Sequence, residues 1–178
     1  LQGATSPAGA INIITKRPDL NDHDGFVQLT AGSNDGLNTQ VAWGGPIVEG
    51  KFAARIAAVY DESYANDVES LTTGLDDSKA EATSARLSGV WAVTDALEAE
   101  LIWQWLDRDI DDVKAMSGAD RLGERPTLDK NDRQGLGKTN DFGEFKYDLA
   151  NLILTWDIGD FEVVSVTSYT DSEKFSGT

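Results

Sequence analysis

The sequence predicts an all-β protein built from antiparallel up-and-down strands, and three observations lead to this fold class. First, several segments alternate between apolar and polar residues with the two-residue period of a strand that has one apolar face. Second, short turn sequences and long polar connections separate these segments. Third, large aromatic residues, including five Trp, lie mostly toward the segment ends on otherwise aliphatic faces.

A short apolar segment near the start of the chain is the first predicted strand. Ala10–Thr15 is rich in β-branched residues, which favour strands. Lys16, Arg17 and Pro18 end it, because Pro cannot donate a ladder hydrogen bond and restricts the residue before it. The polar segment Asp19–Asp24 is expected to be a linker.

Seven further segments share the alternating pattern and are predicted to form the sheet. Residues two apart in a strand share a face, so the apolar and polar sets lie on opposite sides. Arg55 and Arg86 fall on the polar side of their strands. The segments are Gly25–Ser33, Leu37–Gly45, Lys51–Ser63, Thr83–Val93, Leu97–Asp107, Lys146–Asp157 and Phe161–Tyr169.

One of these segments, Leu97–Asp107, also admits a helix. Ala, Leu and Glu are good helix formers. A stripe with helical spacing runs through Leu97, Leu101, Trp105, Ile110 and Val113. We favour the strand because its neighbours alternate and because a Thr94–Asp95 turn would pair it with Thr83–Val93.

The connections between the predicted strands differ in length. The short ones are Pro46–Gly50, Thr94–Ala96 and Asp157–Asp160, and the long, charged ones are Asp61–Ala82 and Arg108–Phe145. Ser33–Gly36 is an exception, since this short turn falls where a long loop is expected. Short turns at one rim and long loops at the other are typical of outer-membrane β-barrels. Soluble β-sandwiches lack this asymmetry.

The hydropathy of the chain is compatible with strands in a membrane. No apolar run is long enough for a transmembrane helix. A transmembrane strand needs only about 9–11 residues with one apolar face, so a mean hydropathy of −0.35 does not argue against one. The aromatic residues would then form girdles at the lipid–water boundary. The alternative is that they fill the core of a soluble β-sandwich.

The charge and the missing residue types narrow the possible functions. A net charge of −16 disfavours nucleic acid as a partner, because its phosphates would be repelled. The absence of Cys excludes disulfides, thiolate metal sites and a Cys nucleophile. His23 is the only histidine in the sequence. One His without a second His or a Cys makes a poor metal site. A Ser–His–Asp arrangement elsewhere in the chain is excluded, because it would need another His. We therefore expect no catalytic residues, no cofactor and no assigned metal ligand.

Two groups of charged residues are candidates for a specific role. The run Asp107–Asp112 suggests calcium, but the EF-hand spacing fails because Asp112 stands where Gly is required. A looser calcium site in an outer loop stays open, and a solvated charge run is the preferred interpretation. Arg55 and Arg86 could line the inside of a barrel and pair with carboxylates of a plug. An ordinary wall charge is preferred for both.

The segment LQGATSPAGAINIITKRP, Leu1–Pro18, resembles the end of the plug domain of TonB-dependent outer-membrane receptors. The resemblance is close over GAINIITKRP, Gly9–Pro18. The following segment, Gly25–Ser63, is similar to the first three barrel strands of that family, with a Gly-Pro turn. Further along the chain only the architecture is similar. The sequence departs from the family at Gln2, where Tyr is frequent, and at Ala8–Gly9, where a double Gly is frequent.

This resemblance implies a piece of a larger plugged barrel of about 22 strands. Residues 1–24 would be the C-terminal end of the plug domain and its linker. Residues 25–178 would be the N-terminal part of the transmembrane β-barrel, about seven strands of it. The chain begins at Leu1 rather than Met, and we expect an interior piece. So few strands cannot close such a barrel, so we expect the piece alone not to transport a ligand.

The resemblance also implies a receptor and not an enzyme. It would take up a scarce ligand across the bacterial cell outer membrane, coupled to a TonB-type protein that acts through the plug. The ligand would be a metal chelate such as a ferric siderophore, cobalamin or a glycan, captured by Asp61–Ala82 and Arg108–Phe145. Outer-membrane lipid is the other expected partner. Two alternatives stay open: a passive porin-like channel without a plug, and a soluble secreted β-sandwich that binds partners.

Overall fold

The structure of the chain, a computed structural model, describes residues 15–32, 36–66, 69–70, 78–112, 118–119, 126–128, 134–135 and 141–177. Seven antiparallel strands form one open sheet in which each strand pairs with the next along the chain, which confirms the all-β, up-and-down prediction. They are β1 (Asp24–Ala31), β2 (Leu37–Val48), β3 (Phe52–Asn66), β4 (Ser78–Thr94), β5 (Leu97–Asp112), β6 (Asp141–Ile158) and β7 (Phe161–Gly177).

The remaining elements are two ribbons of very short strands. Glu69–Ser70 pairs in parallel with Gln134–Gly135. Gly118–Ala119 pairs antiparallel with Pro126–Leu128. No helix occurs in the described ranges, so none there is long and apolar enough to cross a membrane.

The pairing registers keep the alternation of neighbouring strands in phase across the sheet. Residues directly opposite one another project to the same face. One row consists of Trp43, Ile56, Leu87 and Trp103, and it defines what we call the apolar face. The next row consists of Gly44, Arg55, Ser88 and Ile102, and it defines the polar face. Arg55 and Arg86 both lie on the polar face, as the alternation predicts.

All three short connections are shorter than predicted, because β2 extends to Val48, β4 to Thr94 and β6 to Ile158. β2 continues through Pro46 to Val48, so the turn predicted as Pro46–Gly50 is shorter. A register shift between Pro46 and Val48 accommodates the proline, which cannot donate to the ladder. Gly50 and Gly159 close their turns with φ of 68° and 61°, a conformation that residues with a Cβ rarely adopt.

The boundaries predicted for the two long connections are wrong. β3 and β4 extend into the range predicted as the loop Asp61–Ala82. β5 and β6 likewise extend into the predicted loop Arg108–Phe145. The prediction ended each strand where its apolar pattern ended. Ladder hydrogen bonds join backbone groups and need no apolar side chain, so the strands continue as charged, paired extensions.

Three further local predictions have different outcomes. The helical alternative for Leu97–Asp107 is wrong, because the segment pairs with β4 and β6 along its length. The predicted strand Ala10–Thr15 lies outside the described residues except for Thr15. Most of the predicted turn Ser33–Gly36 also lies outside them, although the N–H of Gly32 donates to the Gly36 carbonyl at 2.8 Å across it.

The single sheet has almost no interior of its own. Among the described residues, the buried hydrophobic side chains are Ala42, Ala53 and Val90, and all three lie on the polar face. A single-layer sheet cannot bury either face unless another layer covers it. Ala53 and Val90 are 0% and 1% exposed, so another segment must cover them. The segment that precedes β1 does so.

Candidate functional site

Residues 15–23, which we call the linker segment, cross the polar face before β1 begins. Pro18 is buried, although most of its neighbours are exposed. The N–H of Gly50, in the turn between β2 and β3, donates to the Leu20 carbonyl at 2.9 Å. Val90 lines the same cavity as the linker residues. The linker segment is therefore the layer that covers this end of the polar face.

A local turn sets the path of the linker segment. The Asp19 carboxylate accepts hydrogen bonds from the backbone N–H groups of Asn21, at 2.8 Å, and Asp22, at 3.2 Å. An Asp side chain that bonds the backbone two residues on replaces part of a backbone turn. The linker segment thus bends at Asp19 and leads into β1.

Arg17 joins the linker segment to β5. Its Nη2 lies 2.6 Å from Oε1 of Glu98, and its Nε lies 3.0 Å from Oε2 of Glu100. The two glutamates are two residues apart on one strand, so they project to the same side and present two carboxylates to one guanidinium. Sequence analysis identified Arg17 only as a residue that ends the first predicted strand. The structure gives it two partners across the sheet.

Arg55 is the second point of attachment. Its Nη1 donates to Oδ1 of Asp24 at 2.6 Å, and the Lys16 ammonium pairs with the other carboxylate oxygen. Arg55 is only 7% exposed. It fits there because Gly44 lies opposite, where a Cβ would come within 2.7 Å of the Arg55 Cβ. Arg55 therefore bonds the first residue of β1, a residue that the sequence predicted as the end of the linker.

Arg86 has a different environment on the same face. Its Nη2 and Nε donate to Oε1 of Gln104 at 2.6 Å and 3.1 Å. Gln104 lies directly opposite on the neighbouring strand. Both partners belong to the sheet, and this contact of Arg86 involves no residue of the linker segment.

A gap separates the linker segment from the sheet between these attachments. Its volume is about 450 Å³. Arg17, Asp22 and Glu98 are among the charged residues that bound it, together with Val90. The linker segment therefore rests on the sheet at a few charged and hydrogen-bonded points and is not packed against it along its length.

His23 lies at the end of the linker segment, beside the apolar face. Its ring stacks on Trp43 with the centroids 5.5 Å apart and the planes at 17°. Gly45 makes room for the imidazole, because a Cβ there would lie 2.1 Å from Nδ1 of His23. Sequence analysis placed His23 in the linker but did not indicate this contact.

Gly45→Ala is expected to lower the thermal unfolding midpoint of the intact parent protein by about 2–4 °C. The added methyl group would displace the His23 ring from Trp43. Gly89→Ala is the matched control, because a Cβ there meets nothing closer than 3.6 Å and should leave the midpoint unchanged. Equal midpoints for the two variants would contradict the role assigned to Gly45.

All five Trp of the sequence project to the apolar face. The pairing registers place Trp43, Trp91, Trp103, Trp105 and Trp156 on this side of the sheet. Trp43 and Trp91 are 58% and 53% exposed, and aliphatic residues between the Trp are equally exposed. A continuous apolar surface of this kind is unusual on a soluble monomer and marks a surface that meets lipid or another apolar partner. Nothing in the described residues covers it.

Charged residues replace the apolar ones where the strands extend past Tyr60. The Tyr60 and Tyr64 hydroxyls donate to the Glu62 carboxylate at 2.5 Å and 2.7 Å, which holds the pKa of Glu62 below its ordinary value. Lys79 lies 3.0 Å from Glu81 and 3.4 Å from Glu62, and these contacts raise the pKa of Lys79. The apolar face thus ends in a network of paired charges.

The same extensions contain the residues that suggested calcium. Asp107 and Asp109 lie in β5 and not in a loop, and the register brings them near Glu144 of β6. Oxygen atoms of the three carboxylates lie within 4.8 Å of one another, close enough to serve as ligands of one divalent cation. Lys146 pairs with Glu144 at 2.5 Å, so the acidic group is partly neutralised.

Asp109→Asn is expected to raise the thermal unfolding midpoint slightly at neutral pH in the presence of a chelator. Burial, and then the charge of Asp107, raise the pKa of Asp109. A raised carboxyl pKa means that ionisation destabilises the folded state, so the difference between variant and wild type should disappear as the pH falls through that pKa. Asp109 and Asp111 are both exposed, but only Asp109 belongs to the group of three close carboxylates, so Asp111→Asn is the control. A lower midpoint for Asp109→Asn would contradict this assignment.

Comparison with known proteins gives no match. No protein-family model, no curated protein and no solved structure is similar to the chain. The two faces of the sheet and the linker segment are therefore the basis for assigning a function.

Proposed function

We propose that this chain is part of a TonB-dependent outer-membrane receptor, which takes up a scarce ligand with energy supplied through a coupling protein. The observation that carries the proposal is the division of one sheet into two faces. The apolar face carries all five Trp and is exposed. The polar face seats the linker segment through ion pairs. In this proposal the apolar face meets lipid and the polar face lines a plugged barrel.

The size of the apolar face supports a membrane location. On β3 it extends from Phe52 to Tyr60, which is about 26 Å along the strand at ~3.3 Å per residue. With a strand tilt of ~40° this corresponds to a height of about 20 Å, comparable to the ~25 Å apolar band of outer-membrane barrels. The charged extensions begin where this band ends. Their position agrees with strands that leave the hydrocarbon and continue into water.

The linker segment supports a plugged barrel over an open channel. A passive porin has no segment that enters from before the first strand and binds the inner wall. Here Arg17 joins such a segment to β5, and Lys16 joins it to Asp24 at the start of β1. The sequence just before it resembles the end of a plug domain. The contacts of the linker segment and the resemblance, which share residues 15–18, both favour the receptor over the porin-like channel.

The open sheet supports a barrel with more strands than these. Within the described ranges, β1 and β7 each pair on one side only. Unpaired strand edges are not stable in hydrocarbon, because their N–H and C=O groups have no water to bond. In the proposal, further strands of the parent protein complete the pairing and close the wall.

A ferric siderophore is the ligand class that we propose, with cobalamin or a glycan as the alternatives to be tested. The charged extensions of β3 to β6 and the connections beyond them would lie on the outer side. No residue is assigned to ligand binding. The ligand class follows from the family resemblance alone.

Uptake by whole cells tests the proposal. The gene for the intact parent protein would be deleted and restored, and uptake of radiolabelled ferric siderophores, cobalamin and glycans would be measured with and without the coupling protein. If the parent protein is a receptor, uptake of one ligand should be lost when its gene is deleted and also when the coupling protein is absent. Uptake that persists without the coupling protein would indicate a passive channel. A parent protein found in the soluble fraction would indicate the β-sandwich.

A further inference from the structure

We propose that the linker segment is held by a latch with two parts, a releasable clasp and a fixed anchor. The clasp consists of Arg17 with Glu98 and Glu100. The anchor consists of Arg55 with Asp24. The latch lets the chain before β1 lift from the wall while β1 itself stays in the sheet. The inference rests on the proposed function in one respect, namely that the segment upstream of the linker moves as part of a plug.

The two parts differ in how strongly water and salt act on them. Arg17 is 51% exposed, and its partners Glu98 and Glu100 are 36% and 13% exposed, so the clasp is exposed mainly at Arg17 and Glu98. Ion pairs between exposed groups contribute little and are screened by salt. Arg55 is 7% exposed, so its pair with Asp24 is screened much less, and leaving a buried guanidinium unpaired is unfavourable. The clasp can therefore open under conditions that leave the anchor closed.

The order of the two parts along the chain determines which opens first. Arg17 lies on the upstream side of the linker segment, whereas Asp24 is the first residue of β1 and pairs with Gly44 in the ladder. Lys16, one residue further upstream, also pairs with Asp24 and is 63% exposed, so a pull from the upstream side meets two exposed contacts, this pair and the clasp, before it reaches the buried Arg55. The hydrogen bond from the Gly50 N–H to the Leu20 carbonyl lies downstream of Arg17, so the pull reaches it only after the clasp has opened.

Spin labels in the intact parent protein test the latch. The chain contains no Cys, so once any Cys elsewhere in the parent protein is replaced by Ser, single reporters can be placed at Asn21→Cys in the linker segment and at Gln28→Cys in β1. We expect both labels to be immobile in the wild-type background. Arg17→Gln should make the label at position 21 mobile and leave the label at position 28 immobile. Raising the salt from 0.1 M to 1 M, which shortens the screening length from ~10 Å to ~3 Å, should have the same effect.

Two further variants separate the latch from a general loss of folding. Arg86→Gln removes a guanidinium from the same face that contacts Gln104 and no linker residue, so both labels should stay immobile. Reversing the clasp with Arg17→Glu, Glu98→Arg and Glu100→Arg should restore the immobile spectrum at position 21.

Three outcomes would overturn the latch. An unchanged label at position 21 in Arg17→Gln would show that the clasp does not hold the linker segment. Mobility at both positions would show that clasp and anchor are not separate. If the label at position 21 stays mobile in the reversed clasp while the label at position 28 stays immobile, attraction between opposite charges is not what holds the linker segment. The spectra are recorded without a ligand. If they agree with the expectation but cells take up none of the tested ligands, the latch is supported and the proposed function is refuted.

Discussion

Leu101→Arg is expected to destabilise the intact protein in its membrane by about 2–4 kcal/mol, the cost measured for Arg on the lipid face of barrels near the bilayer midplane. Leu101 is 54% exposed on the apolar face, in the row that joins Gly89 and Leu152. An arginine there would have hydrocarbon in place of water around its charge. Urea unfolding in lipid vesicles measures the effect.

Ile102→Arg is the matched control for this prediction. Ile102 is the next residue of the same strand, is also a large aliphatic residue, and projects to the polar face opposite Ser88. A charge on the inner wall stays hydrated, so the expected loss of stability is much smaller. Equal losses for Leu101→Arg and Ile102→Arg would contradict the assignment of the two faces to lipid and to the barrel interior.

Ala53→Leu is expected to have the second largest effect, a destabilisation of about 1–3 kcal/mol, which is typical of overpacking. Ala53 is 0% exposed and lies opposite Val90, which lines the gap beneath the linker segment. Ala53 itself does not line that gap, so a larger side chain there finds no free space and has to displace what covers it. Chemical unfolding of the parent protein in vesicles measures the loss.

The control for Ala53→Leu is Ala82→Leu. Ala82 lies on the same polar face, is partly exposed, and stands in the charged extension of β4 opposite Asp61. It is far along the strands from the linker segment. A destabilisation as large as that of Ala53→Leu would indicate that the linker segment does not cover Ala53.

The faces of the sheet could be predicted from the sequence because alternation reports them directly. A residue such as Trp43 shares a face with Val41 whatever the strand pairs with, and the registers then keep the faces of neighbouring strands in phase. The ends of the strands could not be predicted in the same way. Glu81 and Asp109 look like loop residues because they are charged, yet they pair directly across β4 and β5.

The site on the polar face was only partly predictable. Arg55 could be placed on that face by alternation, but its partner Asp24 depends on the path of the linker segment, which no local pattern specifies. From the sequence, Arg17 only marks the end of a predicted strand. Its partners Glu98 and Glu100 lie 81 and more residues later, so no local pattern connects them. Two carboxylates on one face of a strand that follows a short turn are the signal that could have indicated a cationic partner.

The most direct test of the proposed membrane location is to determine whether the Trp side chains of the apolar face lie in hydrocarbon. Tryptophan fluorescence of the intact parent protein would be measured in vesicles with brominated lipid chains, which quench only from within hydrocarbon, and with acrylamide, which quenches from water. Variants that keep Trp103 and replace every other Trp of the parent protein by Phe make the signal specific to one position. We expect strong quenching by the brominated chains and weak quenching by acrylamide. A water-soluble parent protein whose Trp103 is shielded from both quenchers would contradict the account.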